Sequence, residues 1–513
     1  MKHKGTYIVL FVLAVVTLAL PMTQQYGQWL KLKPLKGVTV TTKQPELTYK
    51  SFMSGEFQKQ EEKYLSENLG FREWLIRCYN QTAWSLFHKS QNKTIYIGKD
   101  KWIFNDFAIK HHYGQMLYDY VKDNDEAIKK MKGDAVLLCL LQNILKEYGV
   151  TFFVCLAPSK DLVCEQYLPK VNEFTRPAGI LAIDHYPSLF DSLGINYIDF
   201  STYFMSIKDT VSYPLYLKSS SHWSNQAAVY AADTLFRYME ALGGFNMHNL
   251  DFGDVYLDKT HYQDADLEEV MNLIWPIESG KNLYTHFKID GDTTAIKPKW
   301  LSVGDSYFWG FQYNLPLDAL FETHHYWYYN KTVHDDKLHK TVDEVDIVRE
   351  LLSSDVVMLV YSPCNLFDLN RQFLTRSLFG LLYEESVIQQ KLENVKQKIR
   401  NSKNWYASLE QKAAASGQDL ELVIDDNARY MLYGSPSLYF KELASCQAPT
   451  FRSNRAKKVA DDLQDPRHEA YRKRIGENKE WLESIKEKAK TQHITLDEAI
   501  EKDIDWLIKT KDK

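Results

Sequence analysis

The sequence predicts an α/β fold: a buried sheet with flanking helices, followed by an α-helical C-terminal region. Three observations predict it. Apolar runs of strand length recur at residues 150–156, 301–303 and 355–361. Helical apolar spacing precedes two of them, at 133–148 and 345–352, which is the alternation of an α/β sheet. From about residue 384 the chain becomes charged, helical in period and poor in strand signals. With 513 residues, 45% apolar and 25% charged, it is ordinary globular material with room for two or three domains.

In chain order, Lys2, His3 and Lys4 precede an apolar run from Tyr7 to Leu20. A basic flank stays cytoplasmic while the apolar run inserts, and Thr6 to Met22 reaches the lower length limit for a span. Leu18-Ala19-Leu20 fits a small-x-small cleavage pattern poorly. Residues 1–24 therefore read as a signal anchor, uncleaved in preference to the alternative of a removed signal peptide, with everything after about residue 25 on the extracytoplasmic side. Residues 25–50 read as a tether. Residues 52–88 turn helical, and Thr94 to Phe104 reads as a hairpin around Gly98-Lys99-Asp100-Lys101, with a structural role only.

The helix at 133–148 carries Val136, Leu137, Leu140, Leu141, Ile144 and Leu145 at helical spacing and stops at Gly149. The strand at 150–156 ends in Ala157-Pro158-Ser159-Lys160. Ligands gather beyond the carboxyl ends of strands in open α/β sheets. Ser159 and Lys160 are therefore pocket candidates, with a capped turn as the even alternative. A helix at 180–195 and a strand at 196–200 repeat the pattern and put Asp199 at a strand end.

Ser219-Ser220-Ser221-His222-Trp223-Ser224 is polar and leads into a helical run from Asn225, with Ser224 as its N-cap. His222 then sits on a loop entering a helix, a suitable place for a base, with Trp223 beside it. Leu301-Ser302-Val303 runs into Gly304-Asp305-Ser306-Tyr307. A buried strand ending in that turn presents the Ser306 hydroxyl at the sheet edge, where a nucleophile is needed. His324 and His325 are adjacent on a strand, so they face opposite ways and read as structural. The strand at 355–361 is followed by Ser362-Pro363-Cys364-Asn365, and Tyr361 and Asn365 are further pocket candidates.

Neither a metal nor a cofactor is expected. Cys78, Cys139, Cys155, Cys164, Cys364 and Cys446 show no metal-ligand spacing. Cys155 and Cys164 could pair in an oxidising compartment, but the cysteines read mainly as small buried hydrophobes. A net charge of -5 without a basic tract excludes a general nucleic-acid binder. In the C-terminal region, Ile399, Trp405, Leu409, Ala413, Leu420, Ile424 and Tyr430 recur at the same spacing as Ile475, Trp481, Ile485, Ala489, Leu496, Ile500 and Trp506. Two related helical hairpins, at 399–430 and 475–506, are expected. Thr495 and Glu498 form a capping box at the start of the last helix, and residues 452–474 read as a solvated face or linker.

Five motifs in this order are similar to the periplasmic alginate O-acetyltransferase group, AlgJ/AlgX-like and related to the DHHW proteins. They are Phe71-Arg72-Glu73, Gly98 to Phe104, Ala157-Pro158-Ser159-Lys160, Ser221-His222-Trp223 and Val303-Gly304-Asp305-Ser306-Tyr307. The resemblance implies an SGNH-hydrolase-like domain, placed at 51–380, with the helical region at 381–513. It implies acetyl transfer onto an exported polysaccharide, beside a membrane-bound O-acyltransferase that supplies acetyl. His222 matches the family's histidine and Ser306 its nucleophile. Ser220 stands where the family carries aspartate, and a serine cannot hold the imidazole through a charge. Asp305 faces elsewhere on a normal turn, and Asp199 is the remaining carboxylate considered. The leading expectation is an O-acetyltransferase of the cell envelope, anchored to the cytoplasmic membrane, working through an acetyl-serine. The alternatives are a non-catalytic partner that binds polysaccharide or an acyltransferase, and a secreted carbohydrate acetylesterase.

Overall fold

The computed structural model describes residues 4–37, 42–115, 124–169, 181–278, 280–434, 439–492 and 494–511. Lys2 and His3 of the basic flank, and residue 180 of the expected helix, lie outside them. Ten strands lie among the described residues: β1 (Ile95–Ile97), β2 (Ile103–Asn105), β3 (Thr151–Leu156), β4 (Tyr197–Asp199), β5 (Leu250–Lys259), β6 (Lys281–Ile289), β7 (Lys299–Gly304), β8 (Thr323–Tyr328), β9 (Thr332–His334) and β10 (Val356–Tyr361). Six form the central sheet, in the order β4-β3-β10-β7-β8-β9. The first five in that order are parallel, and β9 returns antiparallel along β8.

A parallel sheet must be covered on both faces, which is why β3 and β10 read as unbroken apolar runs. The two-residue period then sorts their side chains. Phe152, Val154 and Leu156 join Val357, Leu359 and Tyr361 in one core. Phe153 and Cys155 join Val356, Met358 and Val360 in the other. The first core is closed by helices Asn124–Glu147, Tyr186–Leu193, Ile347–Ser353 and Phe373–Leu382. The second is closed by helix Asn225–Gly243 and an aromatic group of Trp223, Trp300, Phe308, Phe311 and Phe321. Each such side chain, fully buried, contributes about 1.5–3 kcal/mol.

Register places the functional edge. Tyr361 pairs with Leu156 and Val360 with Gly304, so β3, β10 and β7 end side by side. Ala157 to Lys160, Ser362 to Asn365 and Asp305 to Ser306 therefore leave the sheet together. Gly304 makes the crossing close: a Cβ there would lie 1.9 Å from the Val360 carbonyl oxygen. That approach lets the Asp305 N–H donate to the same carbonyl at 3.0 Å. Two antiparallel hairpins complete the strands, β1 with β2 and the long β5 with β6.

Helix Lys4–Gly27 carries the apolar run and continues past the expected end at residue 24. Its span Gly5–Gly27 has 23 residues and, among the described residues, is the one helix long and apolar enough to cross a membrane. At 1.5 Å per residue that is about 35 Å, against a hydrocarbon core of about 30 Å.

Ile399 and Ile475 lie in the last turns of helices Glu385–Asn401 and Pro466–Glu477, and the other repeat positions fall on Lys403–Ser416 and Leu420–Gly434, and on Lys479–Gln492 and Leu496–Lys511. Thr495 and Glu498 exchange the two hydrogen bonds of the capping box, at 3.2 and 2.8 Å. Of the expected solvated face or linker, residues 452–474 overturn the linker: much of the segment is exposed, but it is helical. They form helices Asn454–Gln464 and Pro466–Glu477, and Ala456 and Val459 enter the first core. The charges hide a narrow apolar stripe at i, i+3 spacing. Arg452 is buried and donates to both Glu147 carboxylate oxygens, at 2.8 and 3.0 Å. All six cysteines are free, so Cys155 and Cys164 are unpaired with each other.

Candidate active site

Ser306 opens the single 3₁₀ turn Ser306–Phe308 at the end of β7. Its N–H is the first of that turn and has no acceptor within it. His222 ends the loop before helix Asn225–Gly243, whose N-cap Ser224 accepts from the Ala227 N–H at 3.1 Å. The structure brings the two together: Ser306 Oγ lies 2.8 Å from His222 Nε2. His222 Nδ1 lies 3.1 Å from Asp266 Oδ2. A carboxylate only accepts, so Nδ1 carries the proton and Nε2 presents its lone pair to the serine hydroxyl.

Asp266 is the residue that sequence reasoning missed. It opens helix Asp266–Met271 and is held by the Ser221 N–H at 2.7 Å and by the Ser221 hydroxyl. The serine loop clamps the whole segment. Ser219 Oγ donates to the Asp264 carbonyl at 2.8 Å, and Ser220 Oγ to the Gln263 carbonyl at 2.7 Å. The Leu267 and Glu268 N–H groups donate to the Ser219 carbonyl at 3.1 and 3.2 Å. Ser220 therefore anchors the segment that carries the carboxylate, while its own contacts with His222 are to the backbone. The available signal was the acidic run from Asp264 to Glu269; no local spacing rule ties it to His222.

Burial opposes charge on His222, but the Asp266 carboxylate outweighs it and lifts the imidazole above its ordinary 6.5. Burial likewise pushes Asp266 up, and His222 with the Ser221 hydrogen bonds overcomes this and holds it below its ordinary value.

The other candidates divide. Asp305 is fully buried and accepts from the Ser362 N–H and Oγ at 2.8 and 2.7 Å and from Asn365 Nδ2 at 2.8 Å. It braces the ends of β7 and β10 against each other. Asp199 lies on the edge strand β4 and accepts from the Thr202 N–H and Oγ1 at 2.9 and 2.6 Å, away from His222. Ser159, Lys160 and Asn365 line a cavity of about 120 Å³ together with Ser306 and His222. Lys160 is 2% exposed. Its Nζ donates to the carbonyls of Ile103, Lys218 and Ser220, at 2.8, 3.0 and 2.5 Å. Burial lowers it to about 8.

Two pocket candidates are corrected. Trp223 is buried among Phe200, Phe204, Tyr307 and Phe311, behind the site. Tyr361 points into the first core, because its place in the strand alternation faces the opposite side of the sheet. The hairpin expected to be structural only also reaches the site: Phe104 and Asn105 line the cavity, and the Ile103 carbonyl holds Lys160.

Residues 95–291 match the family described as ALGX: SGNH hydrolase-like domain, acetyltransferase AlgX. The match contains His222 and Asp266 and ends before Ser306. No curated protein matches the chain. Similar solved structures include the O-acetyltransferase domain of Pseudomonas putida AlgJ, with 15% identity, 53% of this chain and 92% of that chain covered, and a TM-score of 0.34. Pseudomonas aeruginosa AlgX shares 14% identity over 53% of this chain and 66% of its own, with a TM-score of 0.31. Bacillus cereus PatB1 shares 14% over 53% and 96%, also at 0.31. The family matched is the one that the five motifs resemble.

Proposed function

We propose that this AlgJ/AlgX-like chain is an O-acetyltransferase that acts on an exported polysaccharide through an acetyl-serine. One observation carries the reading: the continuous chain from Ser306 Oγ through His222 to Asp266, at 2.8 and 3.1 Å. His222 Nε2 takes the hydroxyl proton as Ser306 Oγ attacks the donor's acetyl carbonyl. Asp266 holds the imidazole in the required tautomer and stabilises the imidazolium that forms. The Ser306 N–H, the first of its turn, is the donor assigned to the developing oxyanion. The imidazolium returns its proton to the leaving group. A sugar hydroxyl then attacks the acetyl-serine while His222 takes its proton, the bond from the acetyl carbon to Ser306 Oγ breaks, and the imidazolium returns the proton to Ser306.

A carboxylate in place on His222 favours catalysis over a binding-only partner. The apolar helix Gly5–Gly27 supports anchoring at the membrane, beside an acyltransferase that delivers acetyl. The test is the intact mass of the detergent-solubilised full chain after exposure to p-nitrophenyl acetate. One acetyl adduct that peptide mapping places on Ser306, and that is missing from the same peptide of Ser306→Ala, is expected. Absence of acetyl from the Ser306 peptide of folded wild type refutes the acetyl-serine. Transfer to an oligosaccharide faster than to water separates transferase from esterase.

A further inference from the structure

A second relay of carboxylate, imidazole and nucleophile opens on the same cavity. Cys364 follows β10 and lines the cavity with Ser306 and His222. Beside it, His111 of helix Asp106–His112 is 4% exposed. His111 Nδ1 donates to Asp161 Oδ2 at 2.8 Å, so Nε2 is the lone-pair nitrogen of the neutral ring. That nitrogen is buried and, among the described residues, has no hydrogen-bond partner other than Cys364. Burial opposes charge on His111, but Cys364 and Asp161 outweigh it and hold the imidazole well above its ordinary value. His111, Asp161 and Cys364 bring their polar atoms to within 4.8 Å of one another. Asp161 is itself fully buried and is fixed by the Ser159 hydroxyl, whose Oγ lies 4.0 Å from Cys364 Sγ. The arrangement repeats Asp266, His222 and Ser306, with sulfur in place of oxygen. Burial keeps the resting Cys364 a thiol and His111 pulls the other way, so the thiolate forms as the imidazole takes its proton.

We propose that Cys364 is a second acyl-accepting nucleophile, activated by His111 and Asp161, which holds the acetyl group as a thioester before Ser306 takes it. The proposal rests on the acetyl-serine reading above. In the first step Cys364 Sγ attacks the carbonyl carbon of an activated acyl ester or thioester. The S–C bond forms, the bond to the donor's leaving group breaks, and the thiol proton passes by way of His111 Nε2 to that leaving group. In the second step Ser306 Oγ attacks the thioester carbonyl. The O–C bond forms, the C–S bond breaks, and His222 takes the hydroxyl proton, which then passes to the released thiolate and restores the thiol and the neutral imidazole. No oxidant or reductant enters. A thioester is a stronger acyl donor than an oxygen ester, so the transfer runs from sulfur to oxygen.

The test uses the full chain in detergent, treated with p-nitrophenyl acetate and read by intact mass and peptide mapping, with folding checked by circular dichroism. In Ser306→Ala, one acetyl group that neutral hydroxylamine removes is expected on Cys364. Adding His111→Asn should slow its formation by about 100-fold or more, while acylation of the partly exposed Cys78 and Cys139 stays unchanged. An adduct on Ser306 in wild type with none on Cys364 in Ser306→Ala overturns the thioester and leaves the acetyl-serine standing. No adduct on either residue of folded wild type overturns both. Cys364 acylation that keeps pace with Cys78 and ignores His111→Asn also overturns the relay. So does one zinc ion per chain that His111→Asn releases, if Cys364 stays unreactive after chelation; that result would assign the cluster to metal.

Discussion

Replacing Asp266 by asparagine isolates the charge on His222 at nearly constant shape. The amide oxygen can still accept from the Ser221 N–H, now 2.7 Å from Oδ1. The NH₂ group then occupies the position of Oδ2, which faces His222 Nδ1 at 3.1 Å. An NH₂ group only donates, and the Ser221 hydroxyl, 3.1 Å from Nδ1 and released from Oδ2, can turn its proton to that nitrogen as well, so Nδ1 becomes the acceptor and the ring proton moves to Nε2. Nε2 then points an N–H at Ser306 Oγ and cannot take its proton. Neutralising the orienting carboxylate of a serine-protease triad costs about 10⁴ in rate, or about 5.5 kcal/mol of transition-state stabilisation. The same order is expected here, because Asp266 Oδ2 makes the one carboxylate contact to His222 among the described residues. The assay is the rate of Ser306 acetylation across pH. Wild type should lose activity on acidification, with an apparent pKa above 6.5, because the raised imidazole must be neutral to act as base. In Asp266→Asn the plateau should fall, and the remaining acidic limb should move to lower pH, since burial persists and the opposing charge is gone. A variant within tenfold of wild type, or an unmoved limb, would refute the reasoning.

Three further outcomes are expected. Lys160→Met keeps volume but leaves the carbonyls of Ile103, Lys218 and Ser220 without their donor, and should cost about 2–4 kcal/mol in urea unfolding, offset in part by no longer burying an ammonium. Arg452→Met strands the carbonyls of Cys446, Gln447 and Ala448; since Glu147 is 34% exposed and can be rehydrated, the loss should be about 2–3 kcal/mol, below the 3–5 of a fully buried pair. His339 lies between Asp336 and Asp497, which raise it to about 10 against the effect of burial. A raised histidine contributes fully below its unfolded value near 6.5, and the contribution is lost as pH climbs through 10. Melting temperature should therefore fall between pH 6.5 and 10 in wild type, and His339→Gln should flatten that part of the profile.

Much of the fold was legible because its signals are local. Leu301-Ser302-Val303 entering Gly-Asp-Ser specifies a buried strand and a turn within a few residues. Ser224 before an apolar-periodic run specifies the helix start beside His222. Opposite-facing His324 and His325 follow from the strand period, and the two meet different carboxylates, Asp318 and Glu350. The same period could have excluded Tyr361 from the pocket, once the face carrying the site was known.

By itself, the sequence determined the apolar N-terminal helix, the buried strands and the loops that carry Ser306 and His222. Each is encoded by residues within one turn or one strand of each other. Only the tertiary structure decided which carboxylate meets His222. Asp266 arrives through backbone and hydroxyl bonds between the serine loop and the segment from Gln263 to Glu268. It likewise decided that Cys364, which lines the cavity of Ser306, meets His111 and Asp161 from two other elements. Such meetings depend on sheet order and register, which bring β3, β7 and β10 to one edge, and no local pattern in the chain encodes that adjacency.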